Sequence, residues 1–389
     1  MLDTLSDATT QQAQSVRRFY QPELDGLRFY AFLGVFLCHT LPIDDLFYQR
    51  LHLPMPWLWG AAARAGGAGV DLFFALSAYL ITSLLLRERE KTGDISLRLF
   101  YIRRTLRIWP LYFLIVALGL IFAHTAGEHE TRWFYYQRLP SYYVLGYILF
   151  ISNWVYVAFG VSQSICAPLW TVAIEEQFYL IWPAVMKKLR HRGMIIAAAL
   201  TFVLSTASQV GLVAIHANPN YLEFGGASRV NSLALGILLA LCADHLPKRL
   251  PGGRRIILVA AGLVAWVGSS AWVTDQRGPI NIRMALARLI VSIASAAILY
   301  GCIHSSSRLL VGNYVVRLGK ISYGLYMFHF TGILLALTIL HPVSRWQLLA
   351  GRVLGFALTL VLALASYRWV ESPFLRLKDR FTTILNRPV

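Results

Sequence analysis

Residues 24 to 41 read LDGLRFYAFLGVFLCHTL, an apolar run long enough for most of a bilayer crossing that still carries Arg28 near its start and His39 near its end. Ionisable groups inside such a run are costly, so their spacing matters. At 100° and 1.5 Å per residue, the eleven positions from Arg28 to His39 bring the two side chains within about 20° of each other, roughly 16 Å apart along the axis. One helix face therefore carries a guanidinium toward one membrane surface and an imidazole near mid-bilayer. Alone, the pair would also suit an arginine snorkelling at a helix entrance and a packed core histidine.

Around this run the composition is that of a polytopic membrane protein, 57% hydrophobic and 14% charged over 389 residues, with a mean hydropathy of +0.55. The formal net charge of +17 does not mark nucleic-acid binding, because the cations fall in short clusters between apolar runs and form no basic stripe. Residues 1–21 are polar, contain Arg17 and Arg18, and lack the form of a secretory signal, so they are expected to be a cytoplasmic tail. Cys38, Cys166, Cys242 and Cys302 show no paired spacing. No disulfide framework, metal site or permanently bound cofactor is expected.

Eleven apolar stretches follow one another, near residues 26–41, 69–86, 108–123, 142–158, 169–186, 194–216, 230–243, 256–273, 284–303, 321–340 and 349–370. Basic clusters at Arg17/Arg18, Arg87 to Arg107, Lys187 to Arg192, Lys248 to Arg255, Arg308 to Lys320 and Arg376 to Arg380 mark the cytoplasmic side. The run 108–123 leaves the cytoplasm and the run 169–186 returns to it, so 142–158 between them cannot be a single crossing. The expected fold is all-α, with about ten transmembrane helices, both termini cytoplasmic, and one re-entrant or interfacial segment, YYVLGYILFISNW from Tyr142, as a cavity wall. The membrane body should cover 22–375, with 376–389 a basic cytoplasmic tail. Pro54, Pro56, Gly66, Gly67 and Gly69 read as a turn-rich external loop. The external connections are too short for a folded domain, which puts the chemistry inside the membrane body.

In FYIRRTLRIWPLY, Arg104 and Arg107 lie three apart, on one helical face, with Arg103 beside them. Guanidinium groups bind phosphate oxygens bidentately, so this face suits the phosphates of a coenzyme A thioester, although plain anchoring on the cytoplasmic side would use the same residues. In APLWTVAIEEQFYLIWP, Glu175 and Glu176 fall about 10 Å from the outer end. Adjacent positions are about 100° apart, so at most one of the two can face His39. His329 in SYGLYMFHF and Ser77 in GVDLFFALSAYLIT reach comparable depths, and Asp25 and Asp71 are taken with them as supporting residues of one polar cavity. Each has a plainer reading, as a packing serine, a core histidine or a structural ion pair. A histidine with a carboxylate in reach has the chemistry of a general base, and with a thioester delivered at the arginines the natural reaction is O-acyl transfer.

Taken in order, LDGLR, GVDLFFALSAYLI, RRTLRIWPLY, LWTVAIEEQFYLIWP and SYGLYMFH resemble the acyltransferase 3 family of bacterial integral membrane O-acyltransferases, over about Pro22 to Phe374. The resemblance implies that Arg28 and His39 are a hallmark pair, that His39 is the catalytic histidine, and that Arg104 and Arg107 match the arginine pair for acyl-CoA. Ala78 departs from the glycine that usually follows the serine. The family acylates sugars of surface and cell-wall glycans, and some members acylate macrolides. A fused extracytoplasmic esterase-like domain, found in some members, is not expected within this chain. The resemblance thus points to an inner-membrane, multi-pass enzyme with acyl-CoA as donor and a carbohydrate hydroxyl, on a lipid-linked glycan or otherwise, as acceptor. A proton-coupled transporter would also hold buried His and Glu, but it has no need of the one-faced arginine pair.

Overall fold

The computed structural model describes residues 20–42, 45–125, 130–131, 134–135, 139–247, 250–273, 278–341 and 345–382. The principal helices are α1 (Pro22–Thr40), α2 (Gly69–Thr92), α3 (Leu97–Thr125), α4 (Ser141–Ile148), α5 (Ser152–Phe159), α6 (Leu169–Lys188) and α7 (His191–Ala214). There follow α8 (Asn231–Leu241), α9 (Gly252–Trp272), α10 (Ile282–Cys302), α11 (Ser322–Leu340), α12 (Arg345–Ser366) and α13 (Ser372–Asp379). Among the described residues the only strands are the two-residue antiparallel pair Glu130–Thr131 and Phe134–Tyr135.

Among the described residues seven helical segments are long and apolar enough to cross a membrane. Helices α1 and α6 have the length, at 19 and 20 residues, but are not among the seven. Glu23, Asp25 and Arg28 in the first, and Glu175, Glu176 and Gln177 in the second, lower their hydropathy. Both of these less apolar helices contribute ionisable residues to the candidate site, Asp25 and Arg28 from α1 and Glu175 from α6. The α8 stretch is broken differently: Asn231–Leu241 rises only about 16 Å and is preceded by the short helices Pro219–Phe224 and Gly226–Arg229. Residues 142–158 form two eight-residue helices, α4 and α5, that pack on each other across a break where Phe150 has φ +54°. Each rises about 12 Å, so neither crosses alone.

The glycine cluster is not a loop. Residues Pro56–Thr92 run as one continuous helical segment, and the glycines serve close approach: a Cβ at Gly69 would meet the Ala31 carbonyl, and one at Gly66 the Gly34 carbonyl. Small residues there let α2 lie directly on α1. The segment ends where Gly93, at φ +79°, donates its N–H to the Arg89 carbonyl at 2.8 Å, the left-handed cap that glycine favours.

The main core joins Phe32 and Phe36 of α1, Phe74 and Ile81 of α2, Leu111 and Ile115 of α3, Val172 and Trp182 of α6, and Leu325 and Phe328 of α11. Helices α7, α9 and α12 turn Leu204, Ile256, Val264 and Val361 outward, as lipid-facing helices do. Polar ties lock the inner helices in register. Trp182 donates to the Thr82 hydroxyl at 2.9 Å, Tyr323 to the Ile108 carbonyl at 2.9 Å, and Tyr101 to the Leu180 carbonyl at 2.9 Å. Arg89 caps the end of α6 by donating to the carbonyls of Met186, Lys187 and Leu189. In the α2–α3 loop, the Lys187 ammonium and the Ile95 N–H hold Asp94 below the usual carboxylate range.

Candidate active site

The site is built by α1, α2, α3, α6 and α11. Two cavities meet in it. A mouth cavity is lined by Asp25, Arg28, Ser77, Glu88, Arg103, Arg104, Arg107, Lys320 and Tyr323, among others, and an inner cavity by Arg28, Phe73, Ser77, Arg104, Arg107, Thr171, Glu175, Tyr179 and Tyr326. Arg28, Ser77, Arg104, Arg107 and Tyr323 line both, so the two are continuous. The inner cavity has a volume of about 100 Å³, against about 10–15 Å³ for one water, so it admits several waters or a small acyl group.

Arg104 and Arg107 of α3 do face this space together, as their spacing predicts. Neither forms an ion pair with a described carboxylate, whereas Arg28 is held by Asp25 at 3.1 Å. The Arg104 guanidinium lies 5.5 Å from the ring centres of both Phe100 and Tyr179, which orient it through cation–π contact. Its Nε is buried without a hydrogen-bond partner. Asp25 also accepts from the Tyr20 hydroxyl at 3.0 Å. Arg103 is different. It donates to Glu88 at 2.6 Å and to the Phe381 carbonyl at 3.0 Å, so it is a structural cation at the edge of the mouth.

On α6, Glu175 hydrogen-bonds Ser77 and Tyr179 and lies within the field of Arg28 and Arg104. Ser77 and Tyr179 share a further hydrogen bond between their hydroxyls. Carboxylate, hydroxyl and phenol thus form a closed polar triangle on the cavity wall. Sequence reasoning missed Tyr179, although its place four residues after Glu175 puts both on one helical face. Tyr323, Tyr326 and Thr171 were also missed. The hydroxyls of Thr171 and Tyr326 lie 3.0 Å apart, and no spacing in the chain links residues 155 positions apart.

His39 does not meet Glu175. Its ring lies 5.4 Å from that of His329 and 4.8 Å from that of Phe330, and its surface is exposed. The depth assigned to Glu175 assumed that α6 starts at the outer surface. Ser162, Ser164, Ile165, Cys166, Ala167 and Leu169 are instead all buried, so α6 starts inside the protein, and Glu175 comes level with Arg28. His39 lies farther along α1 by most of the 16 Å step. Between the two levels stands Tyr326, whose ring contacts Phe73 on one side and His329 on the other.

His329 is fully buried. Its Nδ1 donates to the Tyr326 carbonyl at 2.5 Å, since a carbonyl can only accept. The same ring's Nε2 is buried without a hydrogen-bond partner, and in this tautomer it keeps a lone pair.

Three expected supporting residues, His329, Asp71 and Glu176, line neither cavity, and nor does His39. Asp71 faces α8 and the short helix before it: Arg229 is 3.4 Å away and the Ser232 hydroxyl donates at 2.9 Å. Glu176, one position and about 100° from Glu175, accepts a long bond from Trp109 at 3.4 Å and has one buried oxygen without a partner. Gln177 beside it donates to the Phe150 carbonyl and to Asn153, both at 2.9 Å, which fixes the break between α4 and α5 against α6.

A family model described as an acyltransferase domain matches residues 21–368. The chain is 28% identical over 378 residues to the peptidoglycan O-acetyltransferase OatA of Listeria monocytogenes, covering 92% of this chain and 56% of the relative. It is 30% identical over 379 residues to the Bacillus subtilis protein named "Putative peptidoglycan O-acetyltransferase YrhL", covering 91% and 55%. A Staphylococcus aureus protein named "Putative O-acetyltransferase" is 28% identical over 386 residues, covering 91% and 57%. The chain thus spans just over half the length of these relatives. No solved structure matches it significantly.

Proposed function

Because the chain belongs to the acyltransferase 3 family, we propose that it is a membrane O-acyltransferase that takes an acetyl or other short acyl group from cytoplasmic acyl-CoA and passes it to a glycan hydroxyl. The observation that carries the donor half is the group Arg28, Arg104 and Arg107 around one cavity, with Arg104 and Arg107 free of any described carboxylate partner. Such a group suits a polyphosphate, whose oxygens a guanidinium fork meets bidentately. The relatives' names support a carbohydrate acceptor.

In this reading the donor's phosphates stay at the mouth and its flexible pantetheine arm runs along α1 toward His39. The neutral His39 ring takes the proton of the acceptor hydroxyl. The oxygen attacks the thioester carbonyl, and the coenzyme A thiolate leaves and is protonated. Glu175 is not the partner of the base. It belongs to the donor cavity, which it lines together with Ser77 and Tyr179. His329, with its tautomer set by Tyr326, is the neighbour that packs and orients His39.

The topology that fits has ten crossings, both termini on the cytoplasmic side of the inner membrane, and α4 and α5 as a re-entrant hairpin. Purified protein supplied with labelled acetyl-CoA and soluble glycan fragments tests the whole reading. Label should appear as an ester on the glycan. Binding of CoA without transfer to any glycan would overturn the acceptor class, and absence of CoA binding would overturn the donor.

A further inference from the structure

We propose that the C-terminal helix α13 completes the donor cavity and that Lys378 is its fourth phosphate-binding cation. The proposal rests on the reading of that cavity as the acyl-CoA site. Residues 376–382 are not a free tail: α12 continues through Tyr367–Glu371 into α13, and α13 packs on α3. Tyr367, Glu371, Leu375, Lys378 and Thr382 line the mouth cavity. Their steps of four, four, three and four positions describe one face of a helical track. All but the first lie at or beyond residue 371, past the 21–368 match to the family.

Lys378 is only 7% exposed, and lysines are almost never so buried without a partner. Its ion pair is with Asp379, the next residue, at 3.3 Å, while its surroundings include the positive charges of Arg107 and Arg104. Arg28 in turn lies within the field of Arg107. Arg28, Arg104, Arg107 and Lys378 therefore converge at the mouth, which Lys320 also lines, with Asp25 on Arg28 and Asp379 on Lys378 as ion-paired carboxylates. Glu88 is committed to Arg103, and Glu371 accepts from Ser366 at 3.5 Å. Like charges gathered in a half-enclosed space repel, and a ligand with several negative charges removes that penalty.

The position also selects which part of the donor Lys378 meets. Arg28, Arg104 and Arg107 line both cavities, but Lys378 lines the mouth alone. It therefore contacts a phosphate at the nucleotide end of the donor, away from the thioester, and does so as a point charge. Arg103, tied to the Phe381 carbonyl, is then the positioning residue that holds the helix end over the mouth.

The test compares dissociation constants for coenzyme A and for phosphate-free pantetheine in the wild type, Lys378→Met, Lys378→Arg and Arg104→Ala. Methionine keeps the buried stem and removes the charge, and thermal unfolding checks that each variant is folded. Lys378→Met should weaken coenzyme A about tenfold and leave pantetheine unchanged, and Lys378→Arg should recover most of the affinity. If Arg104→Ala is weakened while Lys378→Met binds coenzyme A like the wild type, the proposal falls and the donor reading stands. If neither variant is weakened, both fall. Equal losses in Lys378→Met and Lys378→Arg, or an equal loss for pantetheine, would assign Lys378 to packing and overturn the proposal.

Discussion

The rings of His39 and His329 lie 5.4 Å apart, and His329 is locked by the Tyr326 carbonyl into the tautomer that donates from Nδ1. The exposed ring is thus backed by a fully buried one, on a helix different from that of Glu175. If His39 is the base, His39→Ala should stay folded and bind coenzyme A normally, while acyl transfer falls by about 10²- to 10⁴-fold. His39→Gln should be no better, because glutamine can hydrogen-bond but cannot take the proton. Near-normal transfer by a stable His39→Ala protein would end the assignment.

Glu175→Gln separates the two roles considered for this carboxylate. Placed in the donor cavity, it should change the Michaelis constant for acyl-CoA and leave the affinity for a glycan acceptor alone. A loss confined to the rate at saturating donor, as large as that of His39→Ala, would restore Glu175 as the partner of the base.

Arg104→Ala and Arg107→Ala should each weaken coenzyme A by roughly ten- to a hundredfold, since a charge-assisted contact is worth about 1.5–3 kcal/mol. Lysine at either position should rescue only partly, because a planar fork becomes a point charge. Calorimetry in detergent reads both effects. Wild-type affinity in both alanine variants would return the pair to a topology signal.

Asp71→Asn should act on stability and not on binding. The Asp71 and Arg229 side chains are 4% and 2% exposed, and removing one partner of a buried pair costs about 3–5 kcal/mol. The expected result is a markedly lower unfolding temperature with an unchanged dissociation constant for coenzyme A. A folded, stable variant that binds coenzyme A poorly would put Asp71 back in the site.

Cysteines placed at Ser141 and Val161, exposed positions flanking α4 and α5, should react with an impermeant thiol reagent from the same, external side. A cysteine at Lys91, at the exposed end of α2, should react only from the cytoplasm. Opposite sides for Ser141 and Val161 would make the hairpin a crossing.

Hydropathy alone determined that this is a helical membrane protein, because about 20 apolar residues in a row have few other fates. The three-residue step from Arg104 to Arg107 and the eleven-residue step from Arg28 to His39 were likewise legible, since a helix converts spacing directly into a shared face. Depth across helices was not. Glu175 meets Ser77, and His39 meets His329, because the buried stretch 164–168 starts α6 inside the protein, and nothing in local periodicity reports where a helix begins relative to its neighbours. Asp71 pairs with Arg229 across 158 positions, and Lys378 reaches the mouth only because α13 folds back on α3. Such contacts are set by long-range packing of apolar faces, which decides which helices touch and at what level, and only the tertiary structure contains that information.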